Sequence, residues 1–186
     1  MTGEPFRSRT FTPIAPADRP RKTRRGVRVV VTDGSAVLMF ADTDPGVPGS
    51  RWWVTPGGGM DPGETEIDTA LRELTEETGL HAEADDLVGP MMRRVAAHGY
   101  SDQICEQTES FYLLRVPRFD LDTSGQTADE QVTLAGHAWL PLDALADVPE
   151  PIWPAQLDTL VSTADDPSRW PGDVGWIEES TVSIDS

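Results

Sequence analysis

The chain has 186 residues, of which 38% are hydrophobic and 25% charged, a composition typical of one soluble globular domain. No uncharged apolar run approaches the ~20 residues that a membrane helix needs, so no membrane association is expected. The formal net charge of −17 disfavours nucleic acid as a partner, unless bound cations reverse the local field.

The cysteine content and the N-terminus both favour a cytoplasmic protein. Cys105 is the only cysteine, which excludes an internal disulfide and a cysteine-based zinc site. Residues 1–20 have no apolar core of the signal-peptide type, so export is not expected.

Charge is unevenly distributed along the chain. Residues 1–25 are proline-rich and hold seven basic and two acidic side chains, whereas the rest holds eight basic and thirty acidic ones. The basic run at residues 19–25 could contact nucleic acid or anionic lipid, but a mobile arm leading into the first strand is the favoured interpretation. We therefore predict an N-terminal arm, a folded domain and an acidic surface tail, over residues 1–25, 26–163 and 164–186.

The folded domain is predicted to begin with a β-hairpin. Residues 27–40 are rich in β-branched and apolar side chains, and Asp33-Gly34 in their middle is a strong turn signal. Prolines and glycines then indicate a loop, after which two tryptophans and a valine predict a short strand. These two elements cover residues 42–50 and 52–54.

The most helical segment of the chain follows a run of glycines. Thr65 with Asp68 three residues later matches a capping box, and Gly79 suits a left-handed C-terminal cap. Between these positions apolar residues recur at helical spacing, at Ile67, Ala70, Leu71 and Leu74. We predict a helix over residues 65–78.

The second half of the domain combines strands with short helices. Three segments are predicted as strands, at residues 87–96, 107–116 and 132–140. A turn is expected near His98, and short helices are expected to begin at Pro141 and Pro154. Long strands with one long helix predict an α/β fold in which the helix packs on a mixed sheet.

Three glutamates share one stripe of the predicted helix. Glu73, Glu76 and Glu77 are spaced i, i+3 and i+4, and Glu66 lies on the same stripe nearer the N-terminus. Like charges at this spacing destabilise an isolated helix, so a cation among them would be stabilising. Mg²⁺ suits a few carboxylates plus water and phosphate oxygens. On this pattern alone, however, a solvated acidic face is the commoner explanation.

The residues around these glutamates favour the metal site. Gly58 is followed after five residues by Glu64 and, after seven more, by the run Arg72-Glu-Leu-Thr-Glu-Glu-Thr-Gly-Leu80. This pattern resembles the Nudix box of the Nudix hydrolase family at every specified position, with leucine at both aliphatic positions. The resemblance implies the Nudix fold, a mixed β-sheet sandwiched between helices, with the box forming a loop–helix–loop catalytic motif. It also implies a pyrophosphohydrolase that acts on acid anhydrides.

The resemblance also implies a role for each position of the box. Glu73, Glu76 and Glu77 would bind catalytic Mg²⁺, for which Mn²⁺ can substitute, together with the carbonyl of Gly58. Gly59 belongs to the glycine run that lets the backbone approach a phosphate. Bound cations would make an acidic pocket attractive to an anionic substrate and lower the pKa of a water that attacks phosphorus.

Three further box residues are expected to be structural. In the family, the residues that match Glu64 and Arg72 pair with each other and hold the loop against the helix. Gly79 ends the helix.

Residues outside the box are needed for a complete site. Family members often add a carboxylate as a further ligand or general base, and Glu109 is our first candidate, ahead of Glu106 and Glu130. Arg28 on the first strand and Arg51 are candidates for contacts with substrate phosphates.

The substrate class is left open by the sequence. We expect a nucleoside diphosphate linked to another group, such as a nucleoside triphosphate or a nucleotide sugar, as the small-molecule partner; a homodimer is also open. An alternative function is a nucleotide-sensing Nudix domain without catalysis, but such domains commonly lose box glutamates, and this chain retains them. An isomerase of isoprenoid diphosphates would need a cysteine upstream of the box, whereas Cys105 lies downstream.

Overall fold

The computed structural model describes residues 9–184, so the first eight residues of the predicted arm and the last two of the tail lie outside it. Within the described residues, nine strands form one mixed sheet. The strands are β1 (Arg21–Thr32), β2 (Ala36–Asp42), β3 (Trp52–Val54), β4 (Gly57–Gly59), β5 (Leu87–Gly99), β6 (Ile104–Arg115), β7 (Leu134–Pro141), β8 (Ile152–Trp153) and β9 (Gly172–Glu178). The α-helices of the same region are α1 (Glu66–Thr78), α2 (Ala128–Thr133) and α3 (Leu157–Ser162). No helix within residues 9–184 is long and apolar enough to cross a membrane.

A long parallel pair of strands lies at the centre of the sheet. β1 runs parallel to β6 over its whole length, from Arg21 opposite Ile104 to Thr32 opposite Arg115. β5 is antiparallel to β6, and β9 adds in parallel to the outer edge of β5. On the other side, β1 pairs with the short strand β4, while β2 pairs with β3 and β7. This arrangement places β4 alongside the middle of β1.

Helices cover both faces of the sheet. Successive residues of β1 point to opposite faces, so Val29 packs in the cluster that contains α1 and Val30 in the cluster that contains α3. Leu74 of α1 and Leu160 of α3 are fully buried in these two clusters. The predicted mixed sheet between helices is therefore confirmed.

The ends of α1 are fixed by the predicted caps. The hydroxyl of Thr65 accepts a hydrogen bond from the Asp68 N–H at 3.2 Å, and the Asp68 carboxylate accepts one from the Thr65 N–H at 2.9 Å. Gly79 adopts the left-handed conformation with φ of 73° and donates its N–H to the Thr75 carbonyl at 3.0 Å. The helix predicted over residues 65–78 is confirmed to within one residue.

The N-terminal and C-terminal segments both contribute to the sheet, although their high charge predicted an arm and a surface tail. Residues 21–25, predicted as part of a mobile arm, form the first part of β1 and pair with β6. Their basic side chains are at least partly exposed. This part of the strand was not predicted because such charged residues are not typical of strands. In the predicted surface tail, β9 pairs with β5, and Glu179 directly after it is buried.

Several short elements also differ from the predictions. The strands β4 and β8 and the helix α2 were not predicted, because segments of six residues or fewer show too little periodicity. Pro154 does not begin a helix, since α3 starts at Leu157, whereas the short helix expected at Pro141 is present as a 3₁₀ helix over Leu142–Asp147. His98, expected at a turn, is buried because β5 continues to Gly99.

Leu74→Ala is expected to lower the free energy of unfolding by about 2–5 kcal/mol, because it leaves a cavity between α1 and the sheet. Urea unfolding followed by circular dichroism measures this change. Val132→Ala is the control, since Val132 is 60% exposed and its truncation should change stability by less than about 0.5 kcal/mol. Equal effects of the two substitutions would contradict the assignment of Leu74 to the core.

Candidate active site

The glycines of β4 bring the main chain close to α1. Gly58 pairs with Val27 of β1. Gly57 has φ of 131°, and a Cβ there would collide with the carbonyl oxygen of Val27, so glycine is required. A Cβ on Gly58 would collide with the carboxylate of Glu73. The glycine run therefore allows this carboxylate to lie directly against the backbone.

Three carboxylates converge beside β4. Oxygen atoms of Glu73, Glu77 and Glu130 lie within 4.8 Å of one another. Glu73 and Glu77 are one turn apart on α1 and are 1% and 6% exposed, whereas Glu130 comes from α2 and is partly exposed. Burial, reinforced by the charge of Glu73, raises the pKa of Glu77 well above its ordinary value.

This carboxylate cluster suits a divalent cation. Buried carboxylates at such short spacing repel one another, and a cation between them would replace the repulsion with attraction. All the donors are oxygen atoms, the ligand type that Mg²⁺ prefers. The residues present therefore fit the ion that the box implies.

Arg72 holds the glycine loop against α1, as the resemblance implied. Its guanidinium donates to both oxygens of Glu64, from Nε at 2.6 Å and from Nη2 at 3.0 Å. This hydrogen bonding holds the pKa of Glu64 at about 2. Arg72 also donates to the carbonyl of Gly59 at 3.0 Å, to Glu73 Oε1 at 2.8 Å and to Glu76 Oε2 at 3.1 Å. Glu76 thus lies next to Glu73 but at the more exposed edge of the site.

Glu109 lies in a buried ion-pair network next to the site. It is fully buried, and its two oxygens accept hydrogen bonds from Arg28 Nε at 3.1 Å and Arg94 Nε at 2.7 Å. Although burial opposes ionisation, the two guanidinium groups hold the pKa of Glu109 at about 2. Arg28 also donates to the carbonyls of Thr55 and Gly57, at 3.2 and 3.0 Å. Glu109 therefore serves as the counter-charge of two arginines, one of which holds the glycine loop.

A cavity opens onto the carboxylate cluster. Glu73, Glu77 and Glu130 contribute to its lining, as does the backbone of residues 57–59. The same lining contains cationic and aromatic side chains, including Arg9, Phe11, Arg24, Arg28 and Tyr100. Carboxylates for a cation and cations for an anion therefore face one space.

Comparison with known proteins agrees with this geometry. A family model described as the NUDIX domain matches residues 22–161. The chain belongs to the Nudix family. It is a Nudix hydrolase, and several of its sequence relatives are named RNA pyrophosphohydrolases.

Sequence relatives differ in how much of their length is matched. An uncharacterized Nudix hydrolase, orf19 of Rhodococcus erythropolis, is 32% identical over 143 residues, which cover 75% of this chain and 74% of the relative. The RNA pyrophosphohydrolase of Psychrobacter cryohalolentis is 36% identical over 101 residues, which cover 50% of this chain and 56% of that protein. The second match thus spans little more than half of the relative.

Solved structures of the family share the fold. The MutT protein of Methanosarcina mazei Go1 aligns with a TM-score of 0.52 at 16% identity, covering 81% of this chain and 97% of that one. A MutT Nudix hydrolase of Burkholderia pseudomallei aligns with a TM-score of 0.50 at 22% identity, covering 72% and 92%. At these identities the likeness supports the fold alone.

The arginines predicted to contact phosphate have other partners in this Nudix hydrolase. Arg51 pairs with Glu150 at 3.6 Å and is not among the residues that line the described cavity. Arg28 lines the cavity, but it holds Glu109 and the loop carbonyls. Sequence reasoning missed Arg24, which lies four residues before Arg28 on the same face of β1, a spacing that could have indicated it.

Arg9, Phe11 and Tyr100 also line the cavity, but no local sequence pattern predicted this. The guanidinium of Arg9 lies 4.6 Å from the ring centroid of Phe11 and 4.3 Å from that of Tyr100. It also forms an ion pair with Asp102. These contacts join segments about ninety residues apart, so no periodicity or motif predicts them.

Glu77→Gln is expected to stabilise the protein in the presence of a chelator at about pH 7. A pKa raised in the folded state means that folding favours the protonated carboxyl, so the contribution to stability is present at low pH and lost as the pH rises. Glutamine stays neutral and can still accept the hydrogen bond that the Gly57 N–H donates to Glu77. Thermal unfolding in EDTA, with and without added Mg²⁺, provides the measurement.

Glu106→Gln on β6 is the control, because Glu106 is exposed and its substitution should leave the melting temperature unchanged. Mg²⁺ should raise the melting temperature of the wild type more than that of Glu77→Gln. A Glu77→Gln variant less stable than the wild type in EDTA would show that burial of this charge carries no cost.

Proposed function

We propose that this chain is a Mg²⁺-dependent hydrolase, also supported by Mn²⁺, that cleaves the pyrophosphate bond of a nucleoside diphosphate linked to another group. Nucleoside triphosphates and nucleotide sugars are the substrate types that fit this chemistry. The observation that carries the proposal is the convergence of Glu73, Glu77 and Glu130 within 4.8 Å at a cavity beside an unbroken Nudix box.

The chain's own groups would hold the cation. Glu73, Glu77 and Glu130 supply carboxylate oxygens, Gly58 supplies its carbonyl, and Glu76 adds a carboxylate at the exposed edge. When bound, Mg²⁺ would neutralise charge on the diphosphate oxygens and make water a better nucleophile.

Two hydrogen bonds keep the helix carboxylates oriented. The Gly57 N–H donates to Glu77 Oε2 at 2.7 Å, and Arg72 donates to Glu73 Oε1 at 2.8 Å. Because both carboxylates are already fixed, little reorganisation is needed when the substrate arrives. This preorganisation supports an assignment to catalysis.

We assign the carboxylate outside the box to Glu130. It lies in the cluster with Glu73 and Glu77, and its Oε2 accepts a hydrogen bond from the Thr127 N–H at 2.6 Å, which orients the side chain. Glu109, the first candidate from the sequence, is held ionised by two arginines and would be a weak general base. Glu130 is thus proposed to complete the carboxylate set, while Glu109 supports the loop.

A small nucleotide is the proposed substrate. The relative from Psychrobacter cryohalolentis is named for RNA, but the net charge of −17 disfavours a long polyanion. Gly59 and Arg24 are proposed to face the phosphates, since both line the cavity and Arg24 Nη1 lies 3.3 Å from where a Cβ of Gly59 would be. A cytoplasmic location is a further prediction from the sequence, which leaves a homodimer open.

Purified protein is expected to release phosphate, pyrophosphate or nucleotide from at least one nucleoside triphosphate, dinucleotide or nucleotide sugar, in Mg²⁺ but not in EDTA. Glu77→Gln should lower kcat by about 100-fold or more, because a charged ligand is lost. A 5′-triphosphorylated RNA oligonucleotide in the same panel tests the longer polyanion. If no member of the panel is hydrolysed in a metal-dependent way, the enzyme proposal fails and the nucleotide-sensing alternative is favoured.

Glu130→Gln is expected to impair catalysis, whereas Glu109→Gln is expected to impair stability. Glu130→Gln should lower kcat by about tenfold or more with little change in stability, because Glu130 is partly exposed. Glu109→Gln should lower the free energy of unfolding by about 3 kcal/mol or more, since Arg28 and Arg94 lose a buried counter-charge. Steady-state kinetics and urea unfolding measure the two effects. A stable but inactive Glu109→Gln variant would return Glu109 to the catalytic role.

A further inference from the structure

A carboxylate from the C-terminal segment reaches the buried charges next to the site. Glu179 directly follows β9 and lies outside residues 22–161, which the family model matches. It is 4% exposed, and its two oxygens accept hydrogen bonds from Arg94 Nη1 at 2.5 Å and Nη2 at 2.7 Å. Its main chain is held as well, because its N–H donates to the Ala97 carbonyl at 2.9 Å. The tail is therefore anchored in the interior at this residue.

The contacts of Arg94 continue to the carboxylate cluster. Arg94 Nε donates to Glu109 at 2.7 Å, and Glu109 also accepts from Arg28 Nε at 3.1 Å. Arg28 Nη1 donates to the Gly57 carbonyl at 3.0 Å, and the Gly57 N–H donates to Glu77 Oε2 at 2.7 Å. An unbroken series of hydrogen bonds thus connects the tail carboxylate to a carboxylate of the site.

The charges of this network balance only when Glu179 is included. Arg28 and Arg94 carry two positive charges, and Glu109 carries one negative charge. Glu179 supplies the second negative charge, so the four side chains sum to zero. Without it, Arg94 would share Glu109 with Arg28, and these three side chains would carry one excess positive charge. The arginine that holds the Gly57 carbonyl would then be less firmly placed.

We propose that Glu179 is a positioning residue for the Nudix site, acting through the arginines to fix the loop at Gly57 and thereby Glu77. The kinetic consequence rests on the proposed function, whereas the structural consequence does not. Because Glu179 lies outside the family-matched region, this chain supplies part of the support of its site from its own C-terminal segment.

Glu179→Gln tests the proposal, because it keeps the shape of the side chain and removes its charge. On metal-free protein, amide hydrogen exchange within residues 55–58, at Thr55, Gly57 and Gly58, should become about tenfold faster, while exchange in α3 stays unchanged. With Mg²⁺ and the substrate found by the panel, kcat should fall about tenfold, and the KM for the nucleotide should change by less than about twofold.

Two further variants distinguish the effect of charge balance from the effect of tail docking alone. Glu178→Gln removes a neighbouring carboxylate that accepts from the Ile184 N–H at 3.1 Å outside the network, and it should behave as the wild type. The double variant Arg94→Met with Glu179→Met removes one charge of each sign and leaves Arg28 paired with Glu109. It should return both exchange and kcat to within about threefold of the wild type.

Wild-type exchange at residues 55–58 in a folded Glu179→Gln variant would overturn the proposal. A double variant as impaired as the single one would also overturn it, because tail docking and not charge balance would then be responsible. If Glu179→Gln does not fold, the double variant decides through the same two measurements. If the wild type hydrolyses nothing in the panel, the proposed function fails, while hydrogen exchange still tests the positioning role.

Discussion

The backbone of Gly57 links the two charged clusters of the molecule. Its carbonyl accepts a hydrogen bond from Arg28, and its N–H donates one to Glu77. These two groups belong to neighbouring peptide units, and each meets the charge that its own dipole favours, an effect that is strong where water is excluded. The N–H also favours the ionised form of Glu77, which offsets part of the cost of burial. This contact, together with the hydrogen bond from Arg72 to the Gly59 carbonyl, holds β4 against α1.

The part of the site that could be predicted from the sequence is the part encoded locally. The box and the caps of α1 fall within residues 58–80, where spacing alone places Glu73 and Glu77 one turn apart. The glycines before the helix were predicted to let the backbone approach a phosphate or metal, and in the structure Gly58 lies against the carboxylate of Glu73. The mixed sheet between helices followed from the same local patterns together with the resemblance.

The choice of the outside carboxylate could not be made from the sequence, because it depends on strand register. Glu109 lies on β6, which pairs with β1. This pairing places Glu109 opposite Gly26 and within hydrogen-bonding distance of Arg28. Glu130 reaches the cluster from α2, a helix too short to be predicted. The pairing of Arg94 with Glu179 spans 85 residues, and no periodic pattern connects positions that far apart. Local sequence patterns therefore could not predict these long-range ion pairs.

The two charged clusters differ in how they are compensated. In the network of Arg28, Arg94, Glu109 and Glu179, each buried charge meets an opposite one. At the site, the guanidinium of Arg72 is shared by the carboxylates of Glu64, Glu73 and Glu76, and Glu77 and Glu130 add two further carboxylates, a local surplus of acidic groups.

Folding alone gives no reason to gather this surplus beside a glycine loop, because buried like charges oppose the folded state. The network that supports the loop is neutral, whereas the carboxylate cluster faces the cavity, where it is open to a ligand. A cluster of like charges that opposes folding is expected at a functional site, where ligand binding can provide the opposite charge. A divalent cation held by these carboxylates would supply positive charge for them and for an anionic substrate, while the neutral network keeps the adjacent loop in place.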